Sequence, residues 1–174
     1  MRMILQLKRT FLMSVFAFML AFSTSGATEK LPIVFVHGNG DYATLWTTTI
    51  WRFESNGYDA NLLSAVNLIH PNAPGDDTKP AENQSTTVVQ ASQLASFVAR
   101  TLLTTGKDKV ILVGSSRGGN TIRNYIKFAG GHATVALAVL CGTPNHGVFA
   151  APAVFNSEWD GMGHFLARLN ATSE

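Results

Sequence analysis

The chain has 174 residues, 46% of them hydrophobic and 14% charged, with 15 Gly and 6 Pro. That length suits one domain, and the composition is too apolar for a disordered tail and too poor in Gly and Pro for a collagen. The formal charge of +2 is owed to Arg2, Lys8 and Arg9; without them 10 basic residues stand against 11 acidic ones, so nothing marks a nucleic-acid surface.

Residues 1–27 read as a secretory signal peptide. A positive start is followed by the apolar run Phe11–Phe22, interrupted only by Ser14, and Ser25-Gly-Ala27 supplies the small residues of a cleavage site. Cleavage there leaves Thr28 first and sends the protein to a secreted or periplasmic location. The run is short of the roughly 20 apolar residues that a bilayer core requires, and no later stretch comes closer, so no membrane span is expected after leader removal. The single cysteine, Cys141, excludes an internal disulfide; it lies in an apolar run and reads as a small buried hydrophobe.

From Leu31 the mature chain alternates. Leu31–Val36 is a continuous apolar run, as expected of a parallel strand covered on both faces. After His37-Gly-Asn-Gly40, Asp41 is a plausible N-cap for a helix carrying Tyr42, Leu45, Trp46, Ile50 and Phe53 on one face, with Gly57 beyond its end. A second strand falls within 58–68, and the Pro- and Gly-bearing stretch 70–83 is a loop. Ser85 opens the longest helix, with Val88, Ala91, Ala95, Val98 and Leu102 inward and Gly106 as its stop. Lys109–Val113 is a buried strand, followed by a helix presenting Ile122, Tyr125, Ile126 and Ala129 and ending at Gly130-Gly131. Val135–Cys141 is another buried strand, and after Gly147 no period is visible.

This order predicts an α/β fold with a mostly parallel sheet, right-handed crossovers and helices on both faces. In such sheets ligands bind beyond the carboxyl ends of the strands. Those ends carry His37–Gly40, Gly114–Gly119 and Gly142–His146, so the three unusual segments should meet at one edge.

Gly114-Ser-Ser116-Arg-Gly118 matches G-x-S-x-G directly between a buried strand and an amphipathic helix. The spacing has a steric cause: the central residue occupies a strained strand-to-helix turn, and flanking glycines let neighbouring backbones approach. Ser116 is therefore the candidate nucleophile. A tetrahedral oxyanion requires donors beside it, and the backbone N–H groups of Arg117 and Asn39 are the candidates. A phosphate-binding turn is a poorer match, because the segment lacks the G-x-x-x-x-G-K-[ST] lysine and the G-x-G-x-x-G spacing. Arg117, Asn120 and Arg123 read as helix-surface residues.

Through "IVFVHGNG", "VILVGSSRGGNTIRNYI" and "AVLCGTPNHG", residues Leu31–Gly147 resemble the N-terminal two-thirds of a secreted α/β-hydrolase of the lipase/esterase type. Bacterial extracellular lipases and polyhydroxyalkanoate depolymerases share these elements. The resemblance implies an oxyanion loop at His37-Gly38, with His37 structural there. It also implies that Thr143-Pro-Asn-His-Gly147 opens the route to a lid or cap, with His146 packed or capping. The domain expectation is then a core over 28–147 and the start of a cap, or an unfinished segment, over 148–174. The implied activity is hydrolysis of carboxylic esters, lipid or polyester, with amide or thioester hydrolysis and a non-catalytic protein of the same fold as alternatives.

In that family the triad runs Ser, then Asp or Glu, then His. Asp160 and His164 follow Ser116 in this order, but four residues apart with no intervening strand, unlike the family's spacing. The acid and base are therefore unassigned, and the expectation is a C-terminally incomplete hydrolase, inactive and marginally folded by itself. No histidine–carboxylate cluster has metal-ligand spacing, so neither a metal nor another cofactor is expected.

Overall fold

The computed structural model describes residues 29–148 and 156–172. Residues 1–27, the stretch that reads as a signal peptide, lie outside the described residues. Four strands, β1 (Ile33–Val36), β2 (Leu63–Val66), β3 (Val110–Ser115) and β4 (Val135–Cys141), form one sheet in the order β2-β1-β3-β4, every pairing parallel. The helices are α1 (Thr47–Ser55), α2 (Thr87–Thr105), α3 (Arg117–Phe128), the single turn α4 (Gly131–Thr134) and α5 (His164–Asn170).

Period-two alternation in β1 and β3 divides the core into two layers. Val34, Val36, Val110 and Leu112 meet Ala91, Leu94 and Val98 of α2 and Ile122 and Tyr125 of α3. Ile33 and Phe35 face the other way onto Trp46, with Ile50 and Phe53 of α1, Ile111 and Val113 packed around them. Helices thus cover both faces, as the strand–helix order implies.

Four local expectations are corrected. Asp41 does not cap α1: its Oδ1 accepts only the neighbouring Tyr42 N–H (2.8 Å), and a 3-10 turn, Ala43–Trp46, precedes the helix, leaving Tyr42 and Leu45 exposed. Thr86, not Ser85, caps α2, its hydroxyl accepting Val89 N–H at 3.2 Å. The buried stripe of α2 is Thr87, Gln90, Ala91, Leu94 and Val98, with Val88 turned outward, because two polar side chains are drawn inward by partners described below. Finally, β4 is not buried on both faces. Val135, Ala138 and Leu140 pack towards the α2–α3 layer, but α1 does not reach β4, which is the sheet edge; Leu137 is 52% exposed, and Cys141 is exposed rather than buried.

After Gly147 the chain turns back on itself. Val148 N–H donates to Trp159 O (3.0 Å), and α5 buries Leu166 and Leu169, while Lys127 of α3 donates to the carbonyls of Arg168 and Leu169 near its end. α5 is seven residues long, with only two inward positions, too few to show as a period.

Candidate active site

The ends of β1, β3 and β4 bring the three glycine-bearing segments together. Ser116 sits between β3 and α3 with φ 51° and ψ −124°, a conformation that a non-glycine residue adopts at a cost of about 1–3 kcal/mol and keeps only when its surroundings fix it. Its N–H donates to Cys141 O (2.8 Å), and its carbonyl accepts Gly119 N–H (3.0 Å). Close approach explains the glycines on either side. A Cβ at Gly118 would lie against His37 O and 2.6 Å from Val36 O; one at Gly114 would lie 2.8 Å from Gly119 N. Gly38 packs on the serine itself, where a Cβ would stand 3.1 Å from Ser116 Cβ.

His37 is buried, and both ring nitrogens are engaged. Nε2 accepts Leu68 N–H (3.0 Å), which assigns the proton to Nδ1, where it donates to Gly38 O (2.9 Å). Burial lowers its pKa below the usual imidazole value, outweighing the Gly38 bond. The ring is thus a neutral strut under the loop, as the resemblance implies, with no nitrogen left to take a proton from Ser116. Asn39 is held by its side chain, Oδ1 accepting Ala73 N–H at 2.7 Å.

Arg117 is the largest departure from the sequence expectation. Its side chain is 1% exposed, not on the helix surface, and forms an ion pair with the equally buried Glu158. Nε also donates to Thr87 Oγ1 (3.1 Å), Nη1 to Pro71 O (2.9 Å), and Nη2 to Ser85 O and to Glu158 Oε2 (3.1 Å). Asn120 is buried as well, donating to Pro144 O (3.3 Å). Partly buried Arg123 bridges Asn120 Oδ1 (3.2 Å), Asn145 Oδ1 (3.1 Å) and Asn170. The polar side of α3 is therefore stitched to the segments after β2 and β4.

The remaining candidates fall as follows. His146 is exposed rather than packed. Asp160 Oδ1 accepts Met162 N–H (2.9 Å), and exposed His164 begins α5. Asp77, which sequence reasoning passed over, has an Oδ1 buried without a hydrogen-bond partner among the described residues. Burial, with the charge of Glu158 adding to it, pushes its pKa up to about 7. Among the described residues no three His, Cys, Asp or Glu side chains cluster to hold a metal, and no helix is long and apolar enough to cross a membrane.

A parallel sheet bearing a strained serine on a glycine-flanked strand-to-helix turn has the architecture of an α/β-hydrolase. The chain belongs to the lipase (class 2) family, whose model matches residues 30–156. The solved lipase BlEst2 of Bacillus licheniformis in its mature form is similar at 26% identity, with a TM-score of 0.52 over 69% of this chain and 43% of that one. Its propeptide form gives 27% identity and a TM-score of 0.51, over 68% of this chain and 23% of that one. Lipase B of Aspergillus fumigatus shares the fold at 13% identity, with a TM-score of 0.62 over 83% of this chain and 34% of that one. The chain thus spans less than half the length of each of these solved chains. Among curated proteins, none matches.

Proposed function

We propose that the protein is a secreted serine hydrolase acting on carboxylic esters, with Ser116 as nucleophile. The observation that carries this is the strained backbone of Ser116 between β3 and α3, in contact with the His37-Gly38 loop. Ser116 Oγ attacks the acyl carbon, and its proton passes through a general base to the departing alcohol. The acyl-serine left behind is then hydrolysed by water, releasing the acid. Arg117 N–H, the first of α3 and so without an intrahelical partner, and Asn39 N–H bind the oxyanion. His37 keeps the second donor's loop in place, and the base and its acid are assigned to no residue here. Residues 28–147 form the catalytic core, and 148–174 begin a cap segment. The family and the similar lipase favour a carboxylic ester, a lipid first, over an amide or thioester, with a polyester as the other ester candidate.

The test is labelling of the secreted protein by a fluorophosphonate, with the adduct located by peptide mass spectrometry. Stoichiometric labelling at Ser116 that is lost in Ser116→Ala is the expected result, together with loss of ester hydrolysis by several orders of magnitude in the variant. An unlabelled protein, or hydrolysis retained in Ser116→Ala, supports the non-catalytic alternative or another nucleophile.

A further inference from the structure

The one fully buried ion pair among the described residues lies beside Ser116, and the mechanism above leaves it unused. Glu158 comes from the segment after β4, 41 residues beyond Arg117. Its side chain is 2% exposed, and three groups share its carboxylate: the Arg117 guanidinium, Thr87 N–H (3.0 Å) and Thr87 Oγ–H (2.7 Å). Thr87 is the first residue of α2, so the carboxylate also occupies the positive end of a 19-residue helix. The guanidinium in turn bonds carbonyls on both sides of the loop from β2 to α2, at Pro71 and Ser85. Four residues from three stretches of chain, Pro71, Ser85 with Thr87, and Glu158, therefore converge on the side chain of the residue that follows Ser116.

Such a cluster is a poor way to gain stability alone, because desolvating two charges offsets most of their attraction, and apolar replacements of similar volume are often neutral or better. Its geometric effect is specific. Arg117 is held at its backbone by the turn and at its far end by a fork of donors that only one orientation satisfies. We infer that Glu158 is a positioning residue: by clamping Arg117, it fixes the first turn of α3 and with it the direction of the Arg117 N–H beside Ser116. This rests on the proposed role of Ser116, so its test separates the two.

The variants are Glu158→Gln, which keeps the shape and removes the charge, and the apolar pair Arg117→Met/Glu158→Leu. Three readouts are taken on the secreted protein: thermal midpoint, hydrogen exchange along α3, and the rate constant of fluorophosphonate labelling. In Glu158→Gln the amides of Gly119, Asn120 and Thr121 should exchange roughly tenfold faster, with Tyr125–Phe128 unchanged. Labelling should slow by roughly tenfold or more, the scale expected of a sub-ångström misplacement. The apolar pair should recover the thermal midpoint but neither the exchange protection nor the labelling rate. Recovery of all three, or exchange that rises uniformly along α3, would overturn the positioning role and leave packing alone. A wild-type protein that does not label at all contradicts the Ser116 proposal, and the exchange profile still decides whether Glu158 fixes the turn.

Discussion

Gly118→Ala tests how tightly the turn between β3 and α3 is packed against β1. A methyl at this position would point at the end of β1, lying 2.6 Å from Val36 O and against His37 O. Carbon–oxygen contacts begin at about 3.3 Å, so α3 and the end of β1 must separate by at least roughly 0.7 Å, and by more at the nearer His37 O. β1 cannot yield easily, because it is hydrogen-bonded between β2 and β3. Overpacking of this kind costs about 1–3 kcal/mol, and the inflexible obstacle favours the upper end; the helix-propensity gain of alanine returns up to about 1 kcal/mol. A net loss of about 2 kcal/mol follows, a fall in thermal midpoint of about 4–8 °C for a domain of this size. The shift also moves the Arg117 amide away from the His37–Asn39 loop, so labelling of Ser116 should drop by more than stability alone explains. Gly75→Ala is the matched control, since its Cβ meets nothing within 4 Å. A Gly118→Ala protein that melts and labels like the Gly75→Ala protein would refute the close approach of α3 to β1.

Three further outcomes are expected. The Asp77 carboxyl, raised to about 7 from 3.8, keeps its proton in the folded protein while the unfolded chain loses it. Folded stability therefore falls as pH rises from about 4 to 7. Asp77→Asn should match wild type near pH 4 and exceed it at pH 8 by thermal unfolding; an equal gap at both pH values contradicts the shift. The His37 imidazole, with its lowered pKa, should titrate below 6.5 by NMR and show the Nδ1–H tautomer. The stability that its neutral form contributes is present above pH 6.5 and lost as pH falls through the folded value; a midpoint above 6.5 counts against the buried strut. The bare apolar face of β4 should make the 174-residue chain self-associate, and Leu137→Lys should suppress this in sedimentation velocity; concentration-independent sedimentation of the wild type would contradict it.

What the sequence made legible was the part governed by local rules. The β1 and β3 runs, the Gly106 stop and the serine turn each depend on a few adjacent residues with a fixed period or a required backbone geometry, and each was found within a residue or two. Where a distant partner decides the outcome, residue type and period point the wrong way. Val88 looked like the inward position of α2 because it is apolar, yet Thr87 and Gln90 are buried there instead. Thr87 binds Glu158, and Gln90 accepts the Thr121 hydroxyl (3.2 Å). Cys141 looked buried because its run is apolar, but burial of a strand face depends on which helix covers it, and α1 stops short of β4.

Arg117 shows the limit most clearly. Arginine and glutamate are almost never fully buried unless paired, so residue type alone sends Arg117 to the surface. Only a partner could reverse that, and Glu158 lies in a segment without detectable periodicity. No spacing rule connects the two positions. The one local hint was the sequence "SSRGGN" itself: all six of its residues are small or polar, and an arginine among them has little apolar surface of its own element to lie along. Arg117 stands at the first turn of α3, directly before Gly118, where that turn closes on the end of β1, and its guanidinium lies among the loops beside it. The close approach that requires glycine at 118 and the burial of the Arg117 guanidinium thus occur in the same turn of α3, one set by adjacent residues and the other by a partner 41 residues away.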